Sequence, residues 1–175
     1  KSKMQSQENF ILRKATPADQ AVIWEIVQQA ILRRKNDGSS QWQDGYPNPD
    51  TIREDIENGF GYIFEIDGET AAYSALIFNN EPAYENIDGK WLSDNDFLVI
   101  HRVAVSDGFL GKGIASKLFL EIENFAKQQQ VFSIKLDTNF DNLAMLKILE
   151  KLNYTYCGEV YFRGSARKAF EKLLR

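Results

Sequence analysis

Three observations predict a mixed α/β fold. The strand-like runs Gly61 to Ile66 and Thr70 to Phe78 flank Asp67-Gly68-Glu69 as a β-hairpin, so part of the sheet is antiparallel. The apolar strand Phe97 to Val105 runs through a glycine turn into an amphipathic helix and on to a strand over Val131 to Thr138. Strands joined by such a helix lie parallel, with a right-handed crossover. Finally, 175 residues close one substantial core without disulfides or metal, and neither repeats nor a compositional break divide the chain, so 1–175 reads as one domain.

Residues 1–9 are polar and are expected to form a flexible N-terminal segment without a secretory signal core. Phe10 to Ala15 is the first strand. Thr16-Pro17-Ala18-Asp19 follows as a helix start, with a cap, a proline at the first helical position and an acid three residues on. Ile23, Ile26, Val27, Ala30 and Ile31 then recur at helical spacing as far as Lys35. Asn36 to Pro49 is rich in turn formers yet contains Trp42 and Tyr46, a loop with large side chains to place beside a pocket. Asp50 to Asn58 reads as a short helix with Ile52 and Ile56 inward. After the hairpin, Asn79 to Asp96 is a polar connection with one helical turn. The helix after the glycine turn carries Ile114, Leu118 and Ile122 on one face. Asp141 to Leu152 is the next helix, Tyr154 to Phe162 a strand, and the last ten residues a further strand after the turn at Arg163-Gly164-Ser165.

Composition narrows the function. A formal net charge of −4, with neither a basic stripe nor interleaved aromatics, argues against a nucleic-acid-binding surface. No apolar run is long enough to span a membrane. The lone Cys157 cannot form an internal disulfide or build a cysteine metal site, which suits a reducing cytoplasm and a protein without metal. Small molecules or protein amines are the expected partners.

The most informative stretch is Val103 to Lys127. Gly111 and Gly113 remove side chains where an anionic group would approach the main chain, and the helix beginning near Ile114 opens with N–H groups that lack intrahelical partners. With the positive end of the helix dipole, they suit a pyrophosphate. A nucleotide-binding loop is the competing reading, but the Gly-Lys-Ser/Thr ending of a P-loop is missing and the turn lies past mid-chain.

The element order, together with VAVSDGFLGKGIASKL and NLAMLKILEKLNY, resembles the GNAT superfamily of N-acetyltransferases over nearly the whole chain. Leu110 departs from its usual Gln or Arg, Asn153 and Tyr154 replace Gly-Phe, and Leu149 stands where many members carry the tyrosine that protonates the departing thiolate. The resemblance implies a mostly antiparallel central sheet with a splayed parallel pair and helices on both faces. It also implies acetyl-CoA as cosubstrate and direct attack by a primary amine, of a small molecule or a protein, in a ternary complex. Pantetheine would pair with the edge at Val103, Ala104 and Val105. Pyrophosphate would rest on the main chain of Gly111, Lys112, Gly113, Ile114, Ala115 and Ser116, the Lys112 charge and Ser116 hydroxyl adding to it, and Asn142 would reach the pantetheine or thioester. A homodimer is a further expectation from relatives.

The general base expected from the residues is His101, the chain's only histidine, placed by two-residue alternation on the face of Val99, Val103 and Val105. A buried histidine satisfied by its neighbours is the alternative. Asp137, near the end of the adjacent strand, either orients His101, binds the amine or caps the next helix. Tyr154, Tyr156 and Cys157 are replacement acids or simply core and edge residues. Trp42 and Tyr46 are pocket walls or loop anchors. Leu110 and Leu149 also leave open a module that binds acyl-CoA and does no chemistry. The acidic net charge leans toward a cationic acceptor.

Overall fold

The structure, a computed structural model, describes residues 8–175. Most of the expected flexible segment, residues 1–7, therefore lies outside the described residues. Asn9, its last residue, exchanges hydrogen bonds with the hairpin turn: its N–H donates to Asp67 Oδ1 and its carbonyl accepts from Asp67 N–H, both at 2.9 Å.

The elements run β1 (Phe10–Lys14), α1 (Gln20–Asn36), α2 (Pro49–Glu57), β2 (Gly61–Ile66), β3 (Glu69–Phe78), β4 (Asp88–Gly89), β5 (Leu98–Val105), α3 (Ile114–Gln128), β6 (Ser133–Thr138), α4 (Leu143–Lys151), β7 (Thr155–Phe162) and β8 (Ser165–Leu173). They build an eight-stranded sheet of order β1-β2-β3-β5-β6-β8-β7-β4 in which β5 and β6 are the parallel pair. The helix expected from Thr16 opens with a 3-10 turn over Pro17–Asp19, where Asp19 Oδ2 accepts from Thr16 N–H at 2.7 Å. The final segment is a strand, as expected.

Helices cover both faces. On one, α3 and α4 lay Ile114, Leu118, Phe119 and Leu149 against Phe64, Leu98 and Ile100; on the other, α1 and α2 lay Ile23, Val27 and Ile52 against Ile63, Tyr73 and Ala104. The connection 79–96 straps across the second face with a 3-10 turn at Pro82–Asn86 and the two-residue β4. Gly89 and Gly158 hold that strap close to β7: each has a φ near the glycine-only region (+139° and +137°), and a Cβ on either would sit 2.2 Å from a main-chain carbonyl oxygen of the opposing strand. Among the described residues, no helix is long and apolar enough to cross a membrane.

A bulge in β5 corrects the predicted alternation. Ala75 pairs with His101 and Tyr73 with Ala104, so Arg102 and Val103 together oppose Ser74, and Arg102 takes φ +54°. Past the bulge the faces exchange: Val103 joins Leu98 and Ile100 in the α3/α4 core, whereas Val99 packs with Tyr84 under the strap. His101, two residues from Val99 and before the bulge, therefore does not share a face with Val103 and Val105.

A buried ionic network holds this bulge. Arg102 donates to Asp55 from Nε (2.8 Å) and Nη2 (2.5 Å), Tyr73 OH donates to the same carboxylate at 2.6 Å, and Arg102 Nη1 reaches Tyr46 OH at 2.7 Å. Burial, reinforced by Asp55, pushes the Tyr73 phenol far up. Removing one partner strands the other charge, so Asp55→Ala should lower stability by about 3–5 kcal/mol. Urea unfolding measures this, and a loss below about 1 kcal/mol would show that the network contributes little.

Candidate active site

β5 and β6 are paired only at Leu98↔Ile134 and Val99↔Lys135. Beyond that point β5 stays with β3 and β6 stays with β8, so the parallel strands part and leave a gap floored by Ile100 and Leu136. A small cavity of about 60 Å³ occupies the gap and joins two larger ones. One is a groove of about 170 Å³ walled by Val103, Val105, Leu110, Ala115, Asn142 and Met145. The other, of about 480 Å³, is walled by Trp42, Tyr46, Glu81, His101, Phe162 and Arg167. The gap cavity shares Val103, Asn142 and Met145 with the groove, and His101, Asp137 and Arg167 with the larger cavity.

The glycine turn lies along the groove. A 3-10 turn at Asp107–Phe109 leads to Gly111 (φ +75°) and Gly113 (φ +68°), and Gly113 caps α3 in the left-handed conformation. The N–H groups of Gly111 through Ser116 donate to no acceptor among the described residues, whereas Lys117 N–H already bonds Gly113 O at 3.2 Å. A Cβ built at Gly111 or Gly113 meets nothing within 4 Å. Unpaired donors at a helix start, facing open space and backed by the helix dipole, are the features a pyrophosphate requires. Ile114 is buried, Ala115 lines the groove, Ser116 is partly buried, and Lys112 Nζ lies 5.4 Å over the Phe109 ring.

The β5 edge is only partly bare. Ser106 N–H bonds Ala71 O on β3, so by alternation Ala104 also turns its main chain toward β3, leaving Val103 and Val105 to face the gap. Their carbonyls accept from the guanidinium groups of α1: Arg34 Nη2 at 3.2 Å and Arg33 Nη2 at 2.5 Å, and Arg33 also ion-pairs with Asp107. Arg34 stacks 3.5 Å from the centroid of Trp42, a buried residue at φ +66°. Asn142 caps α4: its Oδ1 accepts from Met145 N–H at 3.3 Å, and its Nδ2 donates to Gln41 Oε1 at 2.9 Å. Leu149 is fully buried in the core.

In the larger cavity, His101 Nε2 lies 2.8 Å from Glu81 Oε2, and Nδ1 makes no hydrogen bond among the described residues. Burial pushes the Glu81 carboxyl up, but the hydrogen bond and charge of His101 outweigh it and leave Glu81 below its ordinary value. Asp137 is not hydrogen-bonded to His101; its Oδ1 accepts from Tyr84 OH at 2.6 Å, and burial pushes it up. Glu81 thus holds the imidazole, a position the sequence offered to Asp137. Glu81 and Tyr84 went unread because both lie on the polar strap. Glu81-Pro82 was the available signal, since Glu81 caps the strap's 3-10 turn by accepting from Ala83 N–H at 3.3 Å. The replacement acids lie elsewhere: Tyr154 OH donates to Glu123 at 3.2 Å within the core, Tyr156 is exposed, and Cys157 sits beside β4.

A strand pair parted over a glycine-capped helix start, with an acid–imidazole pair across the gap, is an arrangement with room for two reactants, and comparison with known proteins gives the family. The chain matches the Acetyltransferase (GNAT) family over residues 24–154 and belongs to that family. It is similar to a GNAT-family acetyltransferase from Streptococcus agalactiae 2603, with 36% identity, a TM-score of 0.87, and coverage of 95% of this chain and 96% of that one. The "Uncharacterized N-acetyltransferase YesJ" of Bacillus subtilis (strain 168) is 28% identical over 126 residues, 69% of this chain and 68% of that protein. The yncA acetyltransferase of Salmonella typhimurium, solved with acetyl-CoA, shares the fold at a TM-score of 0.64 and 18% identity, covering 95% of each chain.

Proposed function

We propose that this protein is an acetyl-CoA-dependent N-acetyltransferase in which a primary amine in the larger cavity attacks directly, within a ternary complex, the thioester carried by CoA in the groove. The observation that supports this most is that the gap cavity shares walls with both the groove and the larger cavity, so donor and acceptor can lie on either side of the parted strands. Acetyl-CoA supplies an activated acetyl group. The main chain of Gly111 to Ser116 would hold its pyrophosphate, with Lys112 and Ser116 adding a charge and a hydroxyl, and the Val103 and Val105 edge and Asn142 would border its arm. Holding both reactants in line supplies most of the barrier lowering, up to about 7–11 kcal/mol.

The acceptor arrives as an ammonium and must lose a proton. With Nε2–H donating to Glu81, His101 Nδ1 is the ring's free acceptor and takes that proton directly or through a water; Glu81 then stabilises the imidazolium. Asp137, buried beside them with Tyr84, supports the amine's approach. No proton donor for the departing thiolate is assigned on α4, because Leu149 has none to give.

Calorimetry with acetyl-CoA tests the reading: saturable binding is expected, and no heat at millimolar ligand would overturn it. The replacement of the family's tyrosine by Leu149 favours one second reading, a sensor that binds acyl-CoA without turnover. Thiol release across an amine panel separates the two.

A further inference from the structure

The charges of the larger cavity are unevenly placed. His101 stands with Glu81 of the strap and near Asp137 of β6, and Asp44 of the loop before α2 also lines the wall. On its β7–β8 side stand Arg163 and Arg167, and neither has a carboxylate within ion-pair distance among the described residues. Arg102, which also reaches the cavity, differs: Asp55 and Tyr46 saturate it.

Arg167 is the telling residue. Its Nε is buried without any hydrogen-bond partner, and its guanidinium lies 5.3 Å over the Phe162 ring, which fixes it toward the cavity. Ala169 pairs with Asp137 across β8 and β6, so Arg167, two residues earlier, stands on Asp137's face as its diagonal neighbour. In an antiparallel pair that spacing is about 7–8 Å between Cα atoms. Arg163, exposed at the mouth, lies 5.8 Å from the Tyr46 ring. Arg167 is only partly buried and its charge is felt by Asp137, but among the described residues no carboxylate bonds it, so its guanidinium is available to a bidentate anion. Carboxylates and arginines balance around this cavity, Asp44, Glu81 and Asp137 against Arg102, Arg163 and Arg167, so what distinguishes it is where the charges stand.

We infer that the acceptor is a zwitterion: a primary amine bearing a carboxylate, or an anion of similar shape, a few bonds from its nitrogen. The ammonium sits toward His101, Glu81 and Asp137, and the anion sits on Arg167 with Arg163 closing over it. A polycationic amine would meet both arginines and be repelled. It differs from the cationic acceptor toward which net charge leans, and it rests on the transferase reading above.

The test is thiol release from acetyl-CoA with the proteinogenic L-α-amino acids, each paired with its carboxamide, and a polyamine. At least one amino acid is expected to exceed its carboxamide by about 10- to 100-fold in kcat/KM, carried by KM, as loss of a charged hydrogen bond implies. Arg167→Gln should bring the acid-to-amide ratio toward one. Arg163→Gln, at an exposed position that the fold does not need, should lower it by a smaller factor. Acetyl-CoA affinity measured by calorimetry shows that each variant is folded. Equal or reversed preference for the carboxamides, turnover of the polyamine alone, no turnover of any amino acid, or an unchanged ratio in both variants overturns the inference while leaving the transferase intact. Failure of the wild-type protein to bind acetyl-CoA overturns the transferase reading and this inference with it.

Discussion

Gly113→Val is expected to weaken acetyl-CoA binding by at least about 100-fold while the protein remains folded. The two consequences separate because the position over Gly113 is open: a Cβ there meets nothing within 4 Å, so a side chain can begin there without striking the rest of the fold. The fold bears only the strain of a β-branched residue at φ +68°, about 1–2 kcal/mol. The ligand bears the rest, since the methyl groups occupy the volume above the unpaired N–H groups that open α3, and a pyrophosphate held by several charge-assisted hydrogen bonds cannot shift without losing them together. Gly113→Ala isolates the strain, because it imposes the same backbone cost with one methyl group. Calorimetry and thermal unfolding on both variants make the comparison. If Gly113→Val kept wild-type affinity with a cooperative melt, the cradle would lie elsewhere.

His101→Ala should lower kcat by about 10²- to 10⁴-fold, the usual contribution of a positioned base, with acetyl-CoA affinity unchanged. Glu81→Gln tests the partner: it keeps the hydrogen bond and removes the charge that steadies the imidazolium, so kcat should fall by a smaller factor. The sign for stability is separate. Glu81 lies below its ordinary value in the fold, so its contribution is present above the unfolded carboxyl pKa and is lost as the pH falls through the lowered one. Urea titrations below neutrality should show that loss in the wild type and not in Glu81→Gln. An unchanged kcat in His101→Ala would return the histidine to a structural role.

What the chain determined by itself is whatever depends on neighbours in sequence. Period-two and period-3.6 patterns, Asp67-Gly68 in the hairpin, Thr16-Pro17 at α1 and Gly111 with Gly113 before α3 are all local devices, and the elements and the glycine turn followed from them. The family was legible for the same reason, since its motifs are contiguous. The tertiary structure decided what comes from distant segments. The bulge at Arg102 is held because Asp55 and Tyr46, from distant segments, satisfy its guanidinium while Tyr73 donates to Asp55, and no periodicity within β5 announces it. Glu81 reaches His101, and Tyr84 reaches Asp137, because a polar strap is folded back over the sheet and held by the glycine pair at β4 and β7. Net charge is a sum over the whole chain, whereas an acceptor meets only the side chains around one cavity. Arg167 lines that cavity because the cross-strand pairing of β8 with β6 and β7 places it there, and its charge could be located only once the sheet was closed.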